Sequence, residues 1–343
     1  MTYSSMRIDR DGGLARLTFT QADRGNPIDG TFCAEFCDVA NELSSDASVR
    51  AVLIAAEGAD QGRAFSYGGD VAMFLQSLDR LPVMIKRWTA DLHMGIARMQ
   101  RMDAPVVAAV HSICAGGMAA LVAGADIVVA EPGTRFVAAY AGIGYCNDAG
   151  SSIMYTRRMG LAKARKFLLL NQTLDADAAL AAGLADEVVP ADQLAARAEA
   201  IARQLAAGPT RAYGEMRRLL TSVEDQPLEA QLELEALALH GSPAPPMRAK
   251  GSPHSAKSVN PCSGGHKARC GSIPKSATWA GSSPTTPAIP PTGARWSRAS
   301  GRFRSANTIA SPTASRMACS AWAWRRASAL ASWARTAPIS TSR

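Results

Sequence analysis

Short apolar runs alternate with amphipathic stretches over the first 150 residues. LARLTF (14–19) alternates apolar and polar positions, as a half-buried strand does. Three further runs are apolar almost throughout and end at Gly or a polar residue, at 51–58, 105–112 and 126–131. Helical spacing of apolar residues fills stretches between them, at 29–46, 83–102 and 115–125. Strands that alternate with helices predict an α/β fold with a largely parallel sheet.

From residue 150 onwards the pattern is helical. Apolar residues recur at three- and four-residue spacing in successive segments, from SSIMYTRRMG (151–160) to PLEAQLELEALALHG (227–241). We therefore predict an α/β core over 1–200 and a helical region over 201–243.

The segment 244–343 differs in composition from the rest of the chain. The whole chain has 343 residues and a formal net charge of +8, but no Asp or Glu follows Glu235. From Pro245 to Arg343 there are 15 Lys and Arg, among many Ser, Pro, Ala and Gly. Such a segment buries too little apolar surface to offset the entropy of ordering, so we predict a basic, low-complexity, disordered tail. A nucleic-acid-binding arm is the weaker alternative, and we expect no nucleic-acid partner.

The tail also holds five of the six tryptophans, which is unusual for a disordered arm. When the codons of 246–265 are written with free bases left open, a shifted reading permits ADAREGIAAFSEKRKPLFRG. That charged, amphipathic segment suits the helix before it. We infer a change of reading frame near residue 243, which sequencing of the gene tests.

The cysteines and the apolar runs bear on the compartment. The seven Cys show no spacing typical of zinc sites or disulfide frameworks, so we expect a reduced cytosolic setting and no metal. Residues 1–13 lack the apolar centre of a signal peptide. The longest apolar runs are broken within about a dozen residues, too few to span a bilayer. We expect a cytoplasmic protein without membrane association.

Two glycine-bearing segments each follow a predicted strand and lead into a predicted helix. They are RAFSYGGDVAMF (63–74) and HSICAGGMAALVAGADI (111–127). Glycines at such places leave backbone N–H groups free at a helix start. Two such donors aimed at one oxygen form an oxyanion hole, which stabilises an enolate or a tetrahedral oxyanion. Alternatively, the glycines only permit tight turns and close packing.

Taken in order, four motifs resemble the enoyl-CoA hydratase/isomerase (crotonase) superfamily over roughly residues 5–243. They are RGNPID, AFSYGGD, APVVAAVHSICAGGMAALVAGADIVVAEPGTRF and LLLNQTLDADAALAAGLADEVVP. The resemblance implies a ClpP-like spiral core of ββα units, a helical trimerisation region at 201–243, and a homotrimer or hexamer. It implies an acyl-CoA substrate, in which coenzyme A enters as part of the substrate, and no further cofactor.

The resemblance also implies roles for particular residues. The backbone amides of Tyr67 and Gly117 would hold the thioester oxygen, although the family usually has a small residue where Tyr67 stands. Residues implied to contact the CoA portion are Arg24, Pro27, Ile28, Ala64, Gly68 and Asp70. Arg24 would meet a phosphate, or else be an exposed loop charge.

In this superfamily, the positions of the acidic residues differ between hydratases and isomerases. Hydratases carry two glutamates at places that hold Ala120 and Tyr140 here, and neither residue is a base at neutral pH. Asp148, in YCNDAGSS (145–152), stands where isomerases carry a single acid. We expect double-bond or ring isomerisation of a CoA thioester, with Asp148 buried, its pKa raised, and moving the proton.

Three alternatives to this interpretation remain open. Asp148 could be the N-cap of the helix that follows. The protein could instead be a hydratase with a rearranged site, or a non-catalytic acyl-CoA-binding homologue. Structural roles are expected for His93, on an apolar helix face, for His111, and for the thiols Cys114 and Cys146.

Overall fold

The computed structural model describes residues 2–241, so the predicted tail at 244–343 and its inferred change of frame lie outside the described residues. The strands are β1 (Met6–Asp11), β2 (Leu14–Phe19), β3 (Ala51–Ala56), β4 (Val106–Val110), β5 (Ile113–Ala115), β6 (Ile127–Ala130), β7 (Arg135–Val137), β8 (Thr173–Asp175) and β9 (Glu187–Val188). The helices are α1 (Gly30–Ser45), α2 (Val71–Gln76), α3 (Leu81–Arg101), α4 (Gly116–Ala123), α5 (Ser151–Met159), α6 (Leu161–Leu169), α7 (Ala176–Ala182), α8 (Ala191–Ala207), α9 (Thr210–Ser222) and α10 (Leu228–Gly241).

The main sheet has six strands in the order β1-β2-β3-β4-β6-β9. β1 and β2 form an antiparallel hairpin, because Gly12 and Gly13 both adopt positive φ at its two-residue turn. Every other pairing in this sheet is parallel. The four strands predicted from apolar runs are all present, and the prediction of a largely parallel sheet is confirmed.

Both faces of the main sheet are covered, as an α/β sheet requires. In β3, Val52 and Ile54 join the large core cluster, together with residues of α1 and α3, whereas Leu53 joins a second cluster with α8. The alternation follows from the two-residue period of a strand. Both halves of α8 pack on the sheet, through Leu194 and Ile201, so the boundary predicted at 200 falls inside one helix.

A second, three-stranded sheet has the order β5-β7-β8, and its strands span three residues each. The apolar pattern did not predict it, since such short strands carry no readable periodicity. β5 leads directly into α4, so this sheet positions the second glycine segment.

The predicted helical C-terminal region is present as α9 and α10. Arg217 of α9 is buried and fastens this helix to the core. Its guanidinium donates to Asp126 Oδ1 at 2.9 Å and to the carbonyls of Met99 and Ala104 at 2.8 and 3.1 Å. Several leucines of α10 stay exposed, namely Leu228, Leu232, Leu237 and Leu239. None of the helices within residues 2–241 combines the length and the apolar character needed to cross a membrane.

Candidate active site

A cavity of about 330 Å³ opens between α3, the two glycine segments and the segment that precedes α5. Its wall is mainly apolar and aromatic, with contributions from Ile28, Phe74, Ile85, Trp88, Leu92, Ile143 and Tyr145. Gly69, Gly117, His93 and Asp148 also line it. A largely apolar cleft with a few converging polar groups is the usual form of a small-molecule site.

The first glycine segment presents a different amide from the one predicted. The Tyr67 N–H donates to the Gly25 carbonyl at 3.0 Å, and the Gly68 N–H donates to Ser66 Oγ at 2.9 Å. Both donors are therefore occupied, and the prediction that Tyr67 supplies an oxyanion donor is wrong. The next amide, that of Gly69, lines the cavity and makes no hydrogen bond to any residue within 2–241. Gly69 is thus the donor that this segment offers.

The second glycine segment is joined to the first, backbone to backbone. Ala115 N–H donates to the Ser66 carbonyl at 2.9 Å, and a Cβ on Gly68, which has a φ of +83°, would lie 2.8 Å from the Ala115 carbonyl oxygen. Gly117 is the second residue of α4, where an amide has no partner inside the helix. It faces the cavity, against Ile28, and its role as a donor to the thioester oxygen stays a prediction.

Asp148 lines the same cavity, but it is neither buried nor a helix cap. Its side chain is 38% exposed, so the expected burial is wrong. The N-cap of α5 is Gly150, and no side chain caps this helix, so the capping alternative is also wrong. The Asp148 carbonyl accepts hydrogen bonds from Tyr140 Oη at 2.9 Å and from the Ser151 N–H at 3.0 Å. These bonds fix the backbone that carries the carboxylate.

His93 of α3 is a site residue that the sequence interpretation missed. Its Nε2 lies 2.6 Å from Asp148 Oδ1, and its imidazole is half-exposed and lines the cavity. The expected apolar helix face is therefore the one that lines the cavity, and His93 contacts a candidate acid there. A signal was present, because Ile85, Trp88, Leu92 and His93 all lie on the helix face that lines the cavity.

Comparison with known proteins identifies the family. A family model described as enoyl-CoA hydratase/isomerase matches residues 9–252. The chain belongs to this family. A 4-chlorobenzoyl coenzyme A dehalogenase from Arthrobacter is 31% identical over 235 residues, covering 66% of this chain and 82% of that protein. The 1,2-epoxyphenylacetyl-CoA isomerase of Escherichia coli K12 is 29% identical over 229 residues, covering 65% and 84%.

The solved structures confirm the predicted crotonase fold. An enoyl-CoA hydratase from Mycobacterium smegmatis superposes with a TM-score of 0.63 at 26% identity, covering 69% of this chain and 90% of that one. As a member of the enoyl-CoA hydratase/isomerase family, this protein is an enzyme of acyl-thioester chemistry. The relatives carry the names of isomerases, hydratases and dehalogenases, so the family alone leaves the reaction open.

Ala120 and Tyr140 occupy the two positions at which hydratases of the enoyl-CoA hydratase/isomerase family were expected to carry glutamates. Ala120 is fully buried inside α4 and does not line the cavity. Tyr140 does line it, and burial raises the pKa of its phenol, so this group stays protonated at neutral pH. Neither residue can act as a general base, which leaves Asp148 as the carboxylate of this cavity among the described residues.

The structure places some of the residues predicted to contact CoA at the cavity and others away from it. Ile28 lines the cavity beside Gly117, and Gly68 holds the first glycine segment against Ala115. Ala64 is buried away from the cavity. Asp70 caps α2, by accepting from Met73 N–H at 2.9 Å, and binds Arg24 rather than solvent. A direct contact of CoA with Arg24, Pro27, Ala64 or Asp70 stays a prediction.

The cysteines near the site differ in exposure. Cys114 is fully buried, and burial raises the pKa of its thiol, as a structural role requires. Cys33 lines the cavity, and burial raises its pKa to about 12, so it is a neutral thiol. Cys146 is exposed beside Asp148. The same cavity lining also includes Asp148, His93 and the glycines Gly69 and Gly117.

Proposed function

We propose that this protein is an acyl-CoA isomerase that moves a double bond, or rearranges a ring, in a CoA thioester. The observation that carries the proposal is the position of the Asp148 carboxylate, in one cavity with the free amides of Gly69 and Gly117. Both places of the hydratase glutamates lack a carboxylate. A single base is sufficient for a 1,3-proton shift, whereas adding water by the usual route uses two.

For a double-bond shift, the proposed reaction has two proton transfers. Asp148 removes a proton from the carbon α or γ to the thioester, and the electron pair moves onto the thioester oxygen. The Gly69 and Gly117 amides donate to that oxygen; one such donor is typically worth about 3 kcal/mol of transition-state stabilisation. The protonated Asp148 then returns the proton to the other carbon, and the carbonyl forms again.

His93 orients the Asp148 carboxylate for proton transfer. With its Nε2 protonated, the imidazole donates to Asp148 Oδ1 across 2.6 Å and sets the direction of the carboxylate. The other oxygen, Oδ2, then faces the bound acyl group. Tyr140 supports the same arrangement from the backbone side.

The lining of the cavity favours an acyl group that carries a ring. The Phe74 ring lies 6.5 Å from the Trp88 ring and 6.3 Å from the Tyr145 ring, centroid to centroid, and all three line the cavity. Aromatic walls of this kind stabilise a further ring by edge and offset contacts. A dry cavity of about 150 Å³ already holds benzene, so the volume here admits a ring beside the thioester. The E. coli relative is named for an epoxyphenylacetyl thioester.

A substrate panel tests the proposal. The protein is assayed with 3-enoyl-CoA, aryl-epoxide-CoA and trans-2-enoyl-CoA thioesters, alongside Asp148→Asn and the control Asp91→Asn, which removes a carboxylate of α3 outside the cavity lining. We expect isomerisation that falls about 10²- to 10⁴-fold in Asp148→Asn and is unchanged in the control. Hydration that survives Asp148→Asn would instead indicate a rearranged hydratase. Binding without any turnover would indicate a non-catalytic homologue.

A second reaction is favoured by the contact between His93 and Asp148. Here the carboxylate attacks a halogen-bearing ring carbon of an aryl-CoA thioester, halide leaves, and an aryl ester of Asp148 forms. Esterification removes the anionic partner of His93, and the ring releases its Nε2 proton to solvent while Nδ1 carries one. The freed Nε2 then takes a proton from water. That water attacks the ester carbonyl and releases the hydroxyaryl product. The Arthrobacter relative is named as a dehalogenase of such a substrate.

Turnover in water labelled with heavy oxygen distinguishes the two reactions. Substitution through an aspartyl ester places solvent oxygen in the carboxylate of Asp148, which mass spectrometry of the peptide detects after turnover of 4-chlorobenzoyl-CoA. A proton shuttle leaves that peptide unlabelled, and in heavy water it places deuterium in the isomerised product.

The proposal extends to cofactor and assembly. We propose that the only cofactor chemistry is the CoA of the substrate, so that exhaustive dialysis against a chelator leaves the rate unchanged.

We also propose a homotrimer or hexamer, supported by exposed apolar side chains of α9 and α10 such as Leu220, Leu232 and Leu239. Analytical ultracentrifugation tests the assembly. Placement in the cytoplasm stays a prediction.

A further inference from the structure

Arg24 joins the two loops that border the oxyanion side of the cavity. Its Nη2 lies 3.1 Å from Asp29 Oδ2 and 2.9 Å from Asp70 Oδ2, so one nitrogen serves both carboxylates. Its Nη1 donates to Gln21 Oε1 at 3.0 Å. A guanidinium held by two carboxylates has no surplus positive charge for a phosphate.

The two carboxylates are themselves built into the structure. Asp29 Oδ1 caps α1 by accepting from Phe32 N–H at 2.9 Å, and Asp70 Oδ1 caps α2 in the same way from Met73 N–H at 2.9 Å. Each uses one oxygen for its helix and the other for Arg24. Both side chains are largely buried, 15% and 18% exposed, so their charges are poorly screened by water.

Gly69, the proposed oxyanion donor, lies directly before Asp70. The loop that carries it is held against residues 25–28 by Ile28 N–H donating to the Gly68 carbonyl at 2.8 Å and by Tyr67 N–H donating to Gly25. Arg24 adds the charged contact between the same two loops. Without it, two largely buried carboxylates would face each other and repel.

We propose that Arg24 is a positioning residue, which locks the Asp70 loop so that the Gly69 amide points at the thioester oxygen. This inference rests on the proposed function for the identity of that oxygen. It replaces the expectation that Arg24 meets a CoA phosphate. A misplacement of about 1 Å at a catalytic donor is enough to cost up to about 100-fold in rate.

Three variants test the proposal. Arg24→Met removes the charge, and Arg24→Met with Asp70→Asn removes the repulsion while keeping a side chain that caps α2. Arg63→Met is the matched control, because Arg63 is a neighbouring surface arginine that pairs with Asp23. The readouts are amide hydrogen exchange of the 64–76 segment, the dissociation constant of free CoA, and kcat and KM for the thioester.

We expect faster exchange of the 64–76 segment in Arg24→Met, and a kcat that is lower by about tenfold or more. CoA affinity and KM should change by less than about threefold, and the double variant should regain protection. Unchanged exchange with a large loss of CoA affinity would overturn the proposal in favour of a phosphate contact. Because exchange and CoA binding need no turnover, they decide the role of Arg24 even if no thioester is isomerised.

Discussion

His93 and Asp148 are separated by 55 positions in the sequence, yet His93 Nε2 lies 2.6 Å from Asp148 Oδ1. The contact joins α3 to the segment before α5, and both residues line the cavity. It gives Asp148 a fixed orientation although the carboxylate is partly exposed. Under the proposed function, reactivity at this site depends on this pair of side chains, since Asp148 is not buried.

The first prediction concerns this pair. His93→Gln keeps a donor near Asp148 and should lower kcat by roughly tenfold, whereas His93→Leu removes the donor and should lower it further, since a hydrogen bond to a charged group is worth about 1.5–3 kcal/mol before screening by solvent. Steady-state rates with the best thioester measure the effect. Equal rates in both variants and the native protein would show that the contact is not used.

The second prediction concerns the anchor of α9. Arg217→Met leaves Asp126 without its partner and frees the carbonyls of Met99 and Ala104, and should cost about 3–5 kcal/mol in the free energy of unfolding. Arg218→Met is the adjacent control. Its ion pairs are exposed, so it should cost about 1 kcal/mol or less. Urea denaturation compares the two, and similar losses would contradict the assignment.

The third prediction concerns a hydroxyl. Tyr155 is fully buried, stacked edge-on against Phe167 at 5.1 Å, and its Oη has no hydrogen-bond partner within the described residues. Tyr155→Phe keeps the packing and removes the unpaired group. The free energy of unfolding should stay the same or rise by about 1 kcal/mol. A clear loss in thermal denaturation would reveal a partner for this hydroxyl.

The fourth prediction is a pH dependence. Burial lowers the pKa of His111 to about 4, from 6.5, so the folded state resists its protonation. Between these two values the unfolded chain binds more protons, and stability falls as the pH falls from about 6.5 towards 4. At pH 5 the loss from this residue is roughly 2 kcal/mol.

His111→Leu isolates this contribution. The difference in unfolding free energy between the variant and the native protein should shift in favour of the variant between pH 7 and pH 5. A difference that is constant across this range would place the imidazole in contact with water.

Local patterns predicted much of the architecture. The strand β2 alternates apolar and polar positions, whereas the strands β3, β4 and β6 are apolar almost throughout. Glycines mark both segments whose backbone amides reach the cavity. These features are readable because burial on one or two faces imposes a period of two or a continuous apolar run on a strand. The strands β5, β7 and β8 were not readable, since three residues carry no period.

The sequence by itself determined the family, the parallel sheet and the absence of both hydratase glutamates, and it singled out Asp148 as the candidate acid, because each depends on residue type at a fixed place along the chain. Tertiary structure alone decided the rest. It assigned the first donor to Gly69, because Gly25 already occupies the Tyr67 amide, and it bound Arg24 to two carboxylates. It also brought His93 to Asp148, since a contact between distant segments depends on how α3 packs and not on either segment's own pattern.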